Sequence, residues 1–581
     1  MDAGERVIYF AETDYRNKRQ RFGIKEKDRS RHTYVIGKTG MGKSTLLENM
    51  AIQDIQNGSG LAFIDPHGGS AEALLDYVPA SRLKDVMYFA PFDMDWPISF
   101  NIMEDVGPDK RHLVVNGLMS TFEKIWADAW SARMAYILQN TLLALLEYPG
   151  ATLLGVNRML TDKPFREKVV ANIADPAVKS FWVDEFARYT DRYAAEATPA
   201  IQNKVGQFSS NPLIRNIIGQ PKSSFDLRQM MDEKKIIIVN LSKGRVGEGN
   251  AKLLGGMFIT KVYLAAMSRA DKTKQELVST PPFNLYVDEF QSFANRSFAD
   301  ILSEARKYNL TLTIAHQYVE QMEEEVRDAV FGNVGTTVAF RVGPLDAELL
   351  EKVFAPKFTI EDLVNLGRNQ IYLSLMIDGV GSTPFSAQTL PPLPRPPTSL
   401  KTEVIDNSRH GFAEPRAKVE KLIKEWHEEV DHGQTPRPQY QSPRPTQSFA
   451  PRPSPRPAPV QTPSPRVPIQ SRPPVQNTNS NNSNNSSKNW SPRPPKPVIP
   501  REAMEALGSS NLKSLLQDAM KDLPVIDEEE RVYKPDEPAP DLSAEAKVEA
   551  DVDNSGSQAQ IDTLPSPKKE LPTSELKKIF E

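Results

Sequence analysis

The chain has 581 residues, carries a formal net charge of -4 and contains no cysteine. Its length exceeds what one hydrophobic core usually serves, so we expect at least two folded units. The absence of cysteine excludes disulfides, thiolate metal sites and cysteine nucleophiles, and the seven histidines lack the spacing of metal ligands.

Short apolar runs alternate with helical periods over residues 33–106. The strand-like runs are TYVIG, GLAFID and VMYFA, and a helix is predicted from Lys43 to about Gln56. Such alternation is typical of a parallel sheet covered by helices.

Residues 107–227 have a different pattern, with helical stretches such as ARMAYILQNTLLALLE and AVKSFWVDEFARY and no convincing strand. Strand-like runs return with KKIIIVNL, FNLYVDEF, LTLTIAHQ, TTVAFRV and NQIYLSLM. The sequence therefore predicts an α/β fold, in which an all-α domain is inserted into a mainly parallel sheet with helices on both faces.

Domain boundaries are predicted where the pattern or the composition changes. The predicted segments are 1–106, the first part of the sheet domain; 107–227, the all-α insertion; 228–400, the second part of the sheet domain; 401–432, a closing helix; 433–501, a basic proline-rich linker; and 502–581, an acidic tail.

The two C-terminal segments are predicted to be mostly disordered. Residues 436–500 hold 19 prolines, nine Lys or Arg residues and no acidic residue, whereas residues 502–581 hold 19 acidic and nine basic residues. Neither composition can bury enough apolar surface to offset the entropy of ordering. Two short amphipathic stretches, at 512–520 and 576–580, could form helices on binding a partner.

The stretch GKTGMGKS at residues 37–44 fits the pattern GxxxxGK[ST] and lies between a predicted strand and a predicted helix. In such a P-loop the backbone N–H groups surround the phosphates of a nucleotide, and the helix N-terminus adds its dipole. Lys43 is predicted to reach the β and γ phosphates of ATP, and Ser44 to hold Mg²⁺. The predicted nucleotide-binding residues are Gly37, Lys38, Thr39, Gly40, Met41, Gly42, Lys43, Ser44 and Thr45.

Asp288 and Glu289 follow the apolar run LYV at the end of a predicted strand. Asp288 is predicted to serve the metal, and Glu289 to polarise the attacking water as general base. Gln317, at the end of LTLTIAHQ, is predicted to present its amide to the γ-phosphate. The structural alternatives are a helix cap for the acidic pair and an ordinary strand end for Gln317.

Arg306, in SEARKYN, is a candidate arginine finger supplied across a subunit boundary, and Arg245 and Arg133 are its rivals. The alternative in each case is a solvated surface arginine. Asp65 ends GLAFID at the carboxyl edge of a predicted strand, where ligands of open α/β sheets bind, and is a candidate relay residue.

Several stretches taken together resemble the HerA/FtsK class of ring ATPases, and within it the TraG/TraD-like coupling ATPases of type IV secretion and conjugation. These stretches are GKTGMGKST, FIDPHG, the helical insertion, IIIVNLSKG, YVDEF and LSEARKYNLTLTIAHQ, and the similarity covers roughly residues 20–395. The resemblance implies a RecA-like motor core, a homo-hexameric ring with the helical domain at one mouth, and DNA passing through the centre. It also implies a nucleotide ligand at Lys43, Mg²⁺ ligands at Ser44 and Asp288, and roles in hydrolysis for Glu289, Gln317 and Arg306.

The N-terminal region differs from that family. Coupling proteins usually begin with membrane-spanning helices, whereas 36 residues precede Gly37, and no integral membrane segment or signal peptide is predicted. The predicted location is cytoplasmic, or peripheral at the inner face of the membrane through a partner. Relaxase and secretion-channel proteins are candidate partners of the C-terminal tail.

The favoured function is an ATP-driven DNA translocase resembling a coupling protein. The alternatives are a HerA-like motor in DNA end processing or defence, a secretion ATPase acting on protein, and a recruiting scaffold in which the ATPase switches assembly. The near-neutral charge is compatible with DNA binding, because six copies of a few cations can line one channel. The strandedness of the DNA, the polarity of movement and the arginine that acts in trans remain open.

Overall fold

The computed structural model describes residues 3–14, 18–190 and 197–428. Its strands are short, as is usual in α/β proteins. They are β1 (Val7–Thr13), β2 (Arg21–Lys25), β3 (Thr33–Ile36), β4 (Gly60–Asp65), β5 (Val86–Phe89), β6 (Ile236–Asn240), β7 (Phe283–Val287), β8 (Leu310–His316), β9 (Thr336–Ala339), β10 (Gln370–Ser374), β11 (Met376–Ile377), β12 (Val380–Gly381) and β13 (Phe385–Thr389).

Eleven of these strands form one sheet, in the order β2-β1-β13-β10-β9-β3-β8-β7-β4-β6-β5, while β11 and β12 form a hairpin. The strands from β9 to β5 in this order are parallel to their neighbours, which confirms the predicted mainly parallel sheet. The remaining four, β10, β13, β1 and β2, extend the sheet with antiparallel pairing. Of these four, the sequence predicted only β10.

The α-helices are numbered separately, in chain order. They are α1 (Lys43–Gln56), α2 (Gly69–Leu75), α3 (Pro108–Ile125), α4 (Ala132–Leu146), α5 (Gly155–Thr161), α6 (Lys163–Asn172), α7 (Pro176–Ser180), α8 (Pro199–Ser210), α9 (Pro212–Ile218), α10 (Leu227–Asp232), α11 (Lys243–Val246), α12 (Glu248–Met267), α13 (Lys274–Ser279), α14 (Ser297–Glu304), α15 (Glu324–Asn333), α16 (Pro344–Phe354), α17 (Ile360–Asn365), α18 (Lys401–Phe412) and α19 (Arg416–Glu428).

Apolar layers cover both faces of the sheet. On one face, α1, α2 and α18 contribute buried side chains such as Leu47, Leu74 and Val404. On the other face, α12 and α3 contribute side chains such as Phe258 and Leu118. Because burial of large apolar side chains is the main force that holds layers together, helices on both faces follow from the apolar strands between them. The predicted α/β fold class is confirmed.

The described elements between β5 and β6 are all helical. One stretch differs in detail from its prediction, since AVKSFWVDEFARY is not one helix. It forms α7, a π-helical turn at Phe181–Glu185 and a 3-10 turn at Phe186–Arg188. Phe181, Trp182 and Phe186 are all buried, and the wider π turn brings residues five apart onto one side.

The closing segment also differs from the single helix predicted over 401–432. The structure has two helices, α18 and α19, with a break at Ala413 to Pro415. Proline lacks a backbone N–H and restricts the residue before it, so a helix ends more easily at this point. The predicted linker and tail, 433–501 and 502–581, lie outside the described residues. Within the described part of the chain, no helix is both long enough and apolar enough to cross a bilayer.

Candidate active site

The P-loop connects β3 to α1 and is anchored to the two strands beside β3. The backbone N–H of Gly37 donates to the carbonyl of His316 (3.2 Å), at the end of β8. The N–H of Lys38 donates to the carbonyl of Arg341 (2.8 Å), just beyond β9. The loop therefore lies at the carboxyl edge of the parallel strands, where open α/β sheets bind their ligands.

Glycine is required at two turns of this loop. Gly40 and Gly42 have φ values of 76° and 120°, which side chains other than glycine rarely adopt. A Cβ atom at Gly42 would lie 2.9 Å from Oδ1 of Asn369. The loop can thus curl tightly at the start of α1, where the helix dipole favours a bound anion.

Lys43 is buried, and its ammonium is held inside the loop. Its Nζ donates to the carbonyl of Gly37 (2.6 Å) and to that of Lys38 (3.3 Å). Burial lowers the pKa of Lys43, and the nearby charges of Glu289 and Asp288 oppose this shift. A triphosphate would offer this ammonium a charged partner in place of the two carbonyls.

Ser44 and Asp288 meet across the cleft. The Ser44 hydroxyl donates to Oδ2 of Asp288 (2.9 Å), and burial raises the pKa of this carboxyl to about 6. Mg²⁺ takes oxygen ligands and is usually held by one or two protein groups, with phosphates and water completing its shell. The hydroxyl and the carboxyl fit such a site. No group of three or more potential metal-ligating side chains is found in the described ranges.

Glu289 adopts an unusual backbone conformation and is held by two amides. It lies in the left-handed region, with φ 49° and ψ 48°, which costs a residue with a side chain about 1–3 kcal/mol. Gln317 donates through Nε2 to Oε1 of Glu289, and Gln291 donates through Nε2 to Oε2. The two amides thereby hold the carboxylate in one position.

Gln317 also contacts the P-loop, since its Oε1 accepts a hydrogen bond from the Thr39 hydroxyl (3.1 Å). One side chain thus connects the P-loop to the acidic pair. Besides the backbone of the P-loop, the structure brings six predicted side chains together at the carboxyl edge of β3, β7 and β8. They are Thr39, Lys43, Ser44, Asp288, Glu289 and Gln317.

Arg306 lies away from the P-loop and the acidic pair of its own chain. It belongs to a 3-10 turn, Ala305–Tyr308, that precedes β8, and its side chain is exposed. Burial lowers the pKa of His32 to about 4, and the charge of Arg306 adds to that shift, so the two residues are neighbours. A seven-residue strand spans about 20 Å. Arg306 is therefore at the opposite edge of the sheet from Gln317 of the same chain.

The other two candidates for the arginine finger, Arg245 and Arg133, lie in two different helices. Arg245 lies in α11, with its guanidinium 3.4 Å from the ring centroid of Phe92 and 3.6 Å from the carboxylate of Glu72. Arg133 lies near the start of α4, in the helical segment. Arg245 has no contact with the P-loop or the acidic pair among the interactions of the described residues.

Asp65 has a local structural role in the structure. Its two carboxylate oxygens accept hydrogen bonds from the backbone N–H groups of His67 (2.7 Å) and Ala71 (2.9 Å). These bonds stabilise the turn before α2, as short acidic side chains often do. Gln291, in contrast, contacts Glu289 but was not among the predicted residues. A polar residue two positions after an acidic pair is too common to single it out.

The α/β fold and the GxxxxGKS loop define a P-loop NTPase. A sequence profile of the type IV secretory system conjugative DNA transfer family matches residues 5–334. The chain belongs to this family. No curated protein matches it.

The solved structures that match this chain have low sequence identity to it. The bacterial conjugative coupling protein TrwBdeltaN70, in its unbound monoclinic form, is 15% identical over 68% of this chain and 89% of that chain, with a TM-score of 0.46. Plasmid coupling protein TrwB in complex with ADP and Mg²⁺ is 15% identical over 68% and 98%, with a TM-score of 0.47. VirB4 of Thermoanaerobacter pseudethanolicus is 13% identical over 68% and 97%, with a TM-score of 0.43.

Proposed function

We propose that this chain hydrolyses ATP with Mg²⁺ and thereby moves DNA through a homo-hexameric ring, as a coupling ATPase of type IV secretion. Lys43 binds the β and γ phosphates, and Ser44 and Asp288 hold Mg²⁺. Glu289 accepts a proton from the attacking water, and Gln317 donates to the γ-phosphate.

The observation that carries this proposal is the contact between Gln317 and both halves of the site. Its amide nitrogen donates to Glu289, while its carbonyl oxygen accepts from Thr39 of the P-loop. A γ-phosphate entering beside Thr39 offers a charged acceptor for the same amide nitrogen. Glu289 then loses one donor and has an oxygen free to accept a proton from water, so catalysis begins only after the triphosphate is bound.

DNA as the moved polymer is supported by the family to which the chain belongs, described as conjugative DNA transfer. A few cations per subunit are enough for such a channel, because affinity for a phosphate backbone comes from the summed release of counterions. The predicted relaxase and channel partners of the C-terminal tail remain part of this proposal.

A ring is supported by the position of Arg306. The guanidinium is at the opposite edge of the sheet from its own site, about 20 Å from Gln317 along β8. If it stabilises charge on the transferred phosphoryl group, it does so in a neighbouring subunit. Its exposure leaves it accessible to such a neighbour.

The test is an ATPase assay of the full chain with and without single-stranded and duplex DNA, at several salt concentrations, beside a measurement of particle mass. We expect hydrolysis that DNA stimulates, that salt suppresses and that accompanies hexamers. The Lys43→Ala variant is the matched control and should be inactive. A rate that DNA and salt leave unchanged would instead favour a secretion ATPase acting on protein.

A further inference from the structure

The sheet order indicates the direction in which a nucleotide lies across the P-loop. Asp288 and Glu289 follow β7 and Gln317 follows β8, so the groups proposed to act on the γ-phosphate all lie on one side of β3. The γ-phosphate and the nucleoside are at opposite ends of ATP. The nucleoside end is therefore expected on the other side of β3, at the ends of β9 and β10 that lie nearest the P-loop.

On that side, a short loop at 366–369 lies directly against the P-loop. The backbone N–H of Asn369 donates to the carbonyl of Met41 (3.1 Å), and its own carbonyl accepts from the N–H of Thr389 (2.9 Å). Asn369 has φ 63°, in the left-handed region, and its Oδ1 lies 2.9 Å from the Cβ position of Gly42. This contact places the amide beside the start of α1.

The loop is held in shape by its own hydrogen bonds. The N–H of Gly367 donates to Oε1 of Gln370 (2.7 Å), and the N–H of Gln370 donates to the carbonyl of Gly367 (3.3 Å). Arg368 lies between Gly367 and Asn369, and its side chain is exposed. Among the described residues its guanidinium has no hydrogen-bond or ion-pair partner. A rigid loop thus presents an unpaired guanidinium and an amide next to the phosphate cradle.

We propose that Arg368 and Asn369 bind the nucleoside moiety of ATP. A guanidinium can stack on the face of a base and donate to ribose hydroxyls, and an asparagine amide can donate and accept. The assignment rests on the proposed function, because it takes the γ-phosphate side from the roles of Asp288, Glu289 and Gln317. It adds a binding role for a loop just before β10, which is adjacent in sequence to neither the P-loop nor the acidic pair.

The test compares two probes that share a triphosphate and differ in the nucleoside, namely ATP and inorganic tripolyphosphate, each with Mg²⁺. Calorimetry on the full chain should give a Kd for ATP about tenfold higher in Arg368→Ala than in the unmodified chain, the cost of one lost charged contact. The Kd for tripolyphosphate should be unchanged. Asn369→Gly removes the amide but keeps a residue that tolerates the positive φ, and should weaken ATP binding alone in the same way.

Two controls complete the design. Arg21→Ala removes another exposed arginine, at the start of the edge strand β2, and should leave both Kd values unchanged. Lys43→Ala should lose both probes. If Lys43→Ala retains ATP, the proposed function fails and this assignment fails with it. If Lys43→Ala behaves as expected while Arg368→Ala binds ATP normally, or loses ATP and tripolyphosphate equally, only the nucleoside assignment is overturned.

Discussion

Replacing Glu289 by glutamine tests the proposed general base with the smallest change in shape. The carboxylate is buried, and each of its oxygens accepts one amide N–H, from Gln317 and from Gln291. A glutamine at this position keeps one acceptor but places an NH₂ group against one of the two donors. The amide of Gln317 or Gln291 must then rotate to offer its oxygen, but neither side chain has to leave its place.

The substitution should slow ATP hydrolysis but leave ATP binding intact. Loss of a general base lowers the rate by about 10²- to 10⁴-fold, which corresponds to about 3–5.5 kcal/mol of activation free energy. ATP binding should be retained, because the substitution removes a negative charge near the phosphates. The charge of Glu289 also contributes to the raised pKa of Asp288, so its removal favours the ionised carboxylate that Mg²⁺ needs.

The assay is single-turnover hydrolysis with ATP and Mg²⁺ bound, together with the Kd for ATP from calorimetry. Glu361→Gln, at an exposed position in α17, is the matched control and should hydrolyse ATP at the normal rate. If Glu289→Gln hydrolyses bound ATP within about threefold of the unmodified rate, Glu289 does not supply the base, and the mechanism through Gln317 fails.

Three further predictions concern assembly and stability. Mixing the inactive Lys43→Ala and Arg306→Ala variants should restore part of the ATPase activity, because some interfaces of a mixed ring combine an intact P-loop with an intact arginine; confirmed mixed rings without activity would refute a role in trans. Asp54→Ala should lower the free energy of unfolding by about 3–5 kcal/mol in denaturant titrations. The substitution leaves the buried guanidinium of Arg29 without its bidentate partner (2.8 and 3.0 Å). A loss below about 1 kcal/mol would contradict this prediction. Deletion of residues 433–581 should leave the melting transition and the basal ATPase rate of the remaining chain unchanged, and loss of that transition would show that these residues stabilise the fold.

The sequence predicted the parallel part of the sheet because its strands are buried on both faces and consist of short apolar runs. The strands that extend the sheet with antiparallel pairing were harder to recognise. β13 has the sequence FSAQT, with one large apolar side chain, and β1 contains an irregularity in its pairing with β2 between Tyr9 and Ala11. β13 depends on neighbours that are distant in the chain, so its local pattern is weak. β1 contains the apolar run VIYFA, so its local pattern is strand-like although the strand was not predicted.

In the site, too, local sequence motifs could be recognised, whereas contacts between distant parts of the chain could not. The P-loop and the acidic pair are recognisable because each combines a motif with the strand before it. The position of Arg306 and the contact of Asn369 with Met41 depend on strand order and direction, which local sequence does not contain. Asp65 was placed at the correct edge, and local sequence did not predict its hydrogen bonds to His67 and Ala71.

Helix α12 packs against Phe293, in the turn after Glu289, and against helix α3. A Cβ atom at Gly255 would lie 2.2 Å from the ring of Phe293, four residues after Glu289. A Cβ atom at the adjacent Gly256 would lie 2.7 Å from the Thr121 side chain of α3. Close-packed interiors transmit displacement, so a shift of the turn after Glu289 on loss of the γ-phosphate would have to move α12 and α3 together. The proposed translocation thus has a direct mechanical connection from the carboxylates to the helices between β5 and β6.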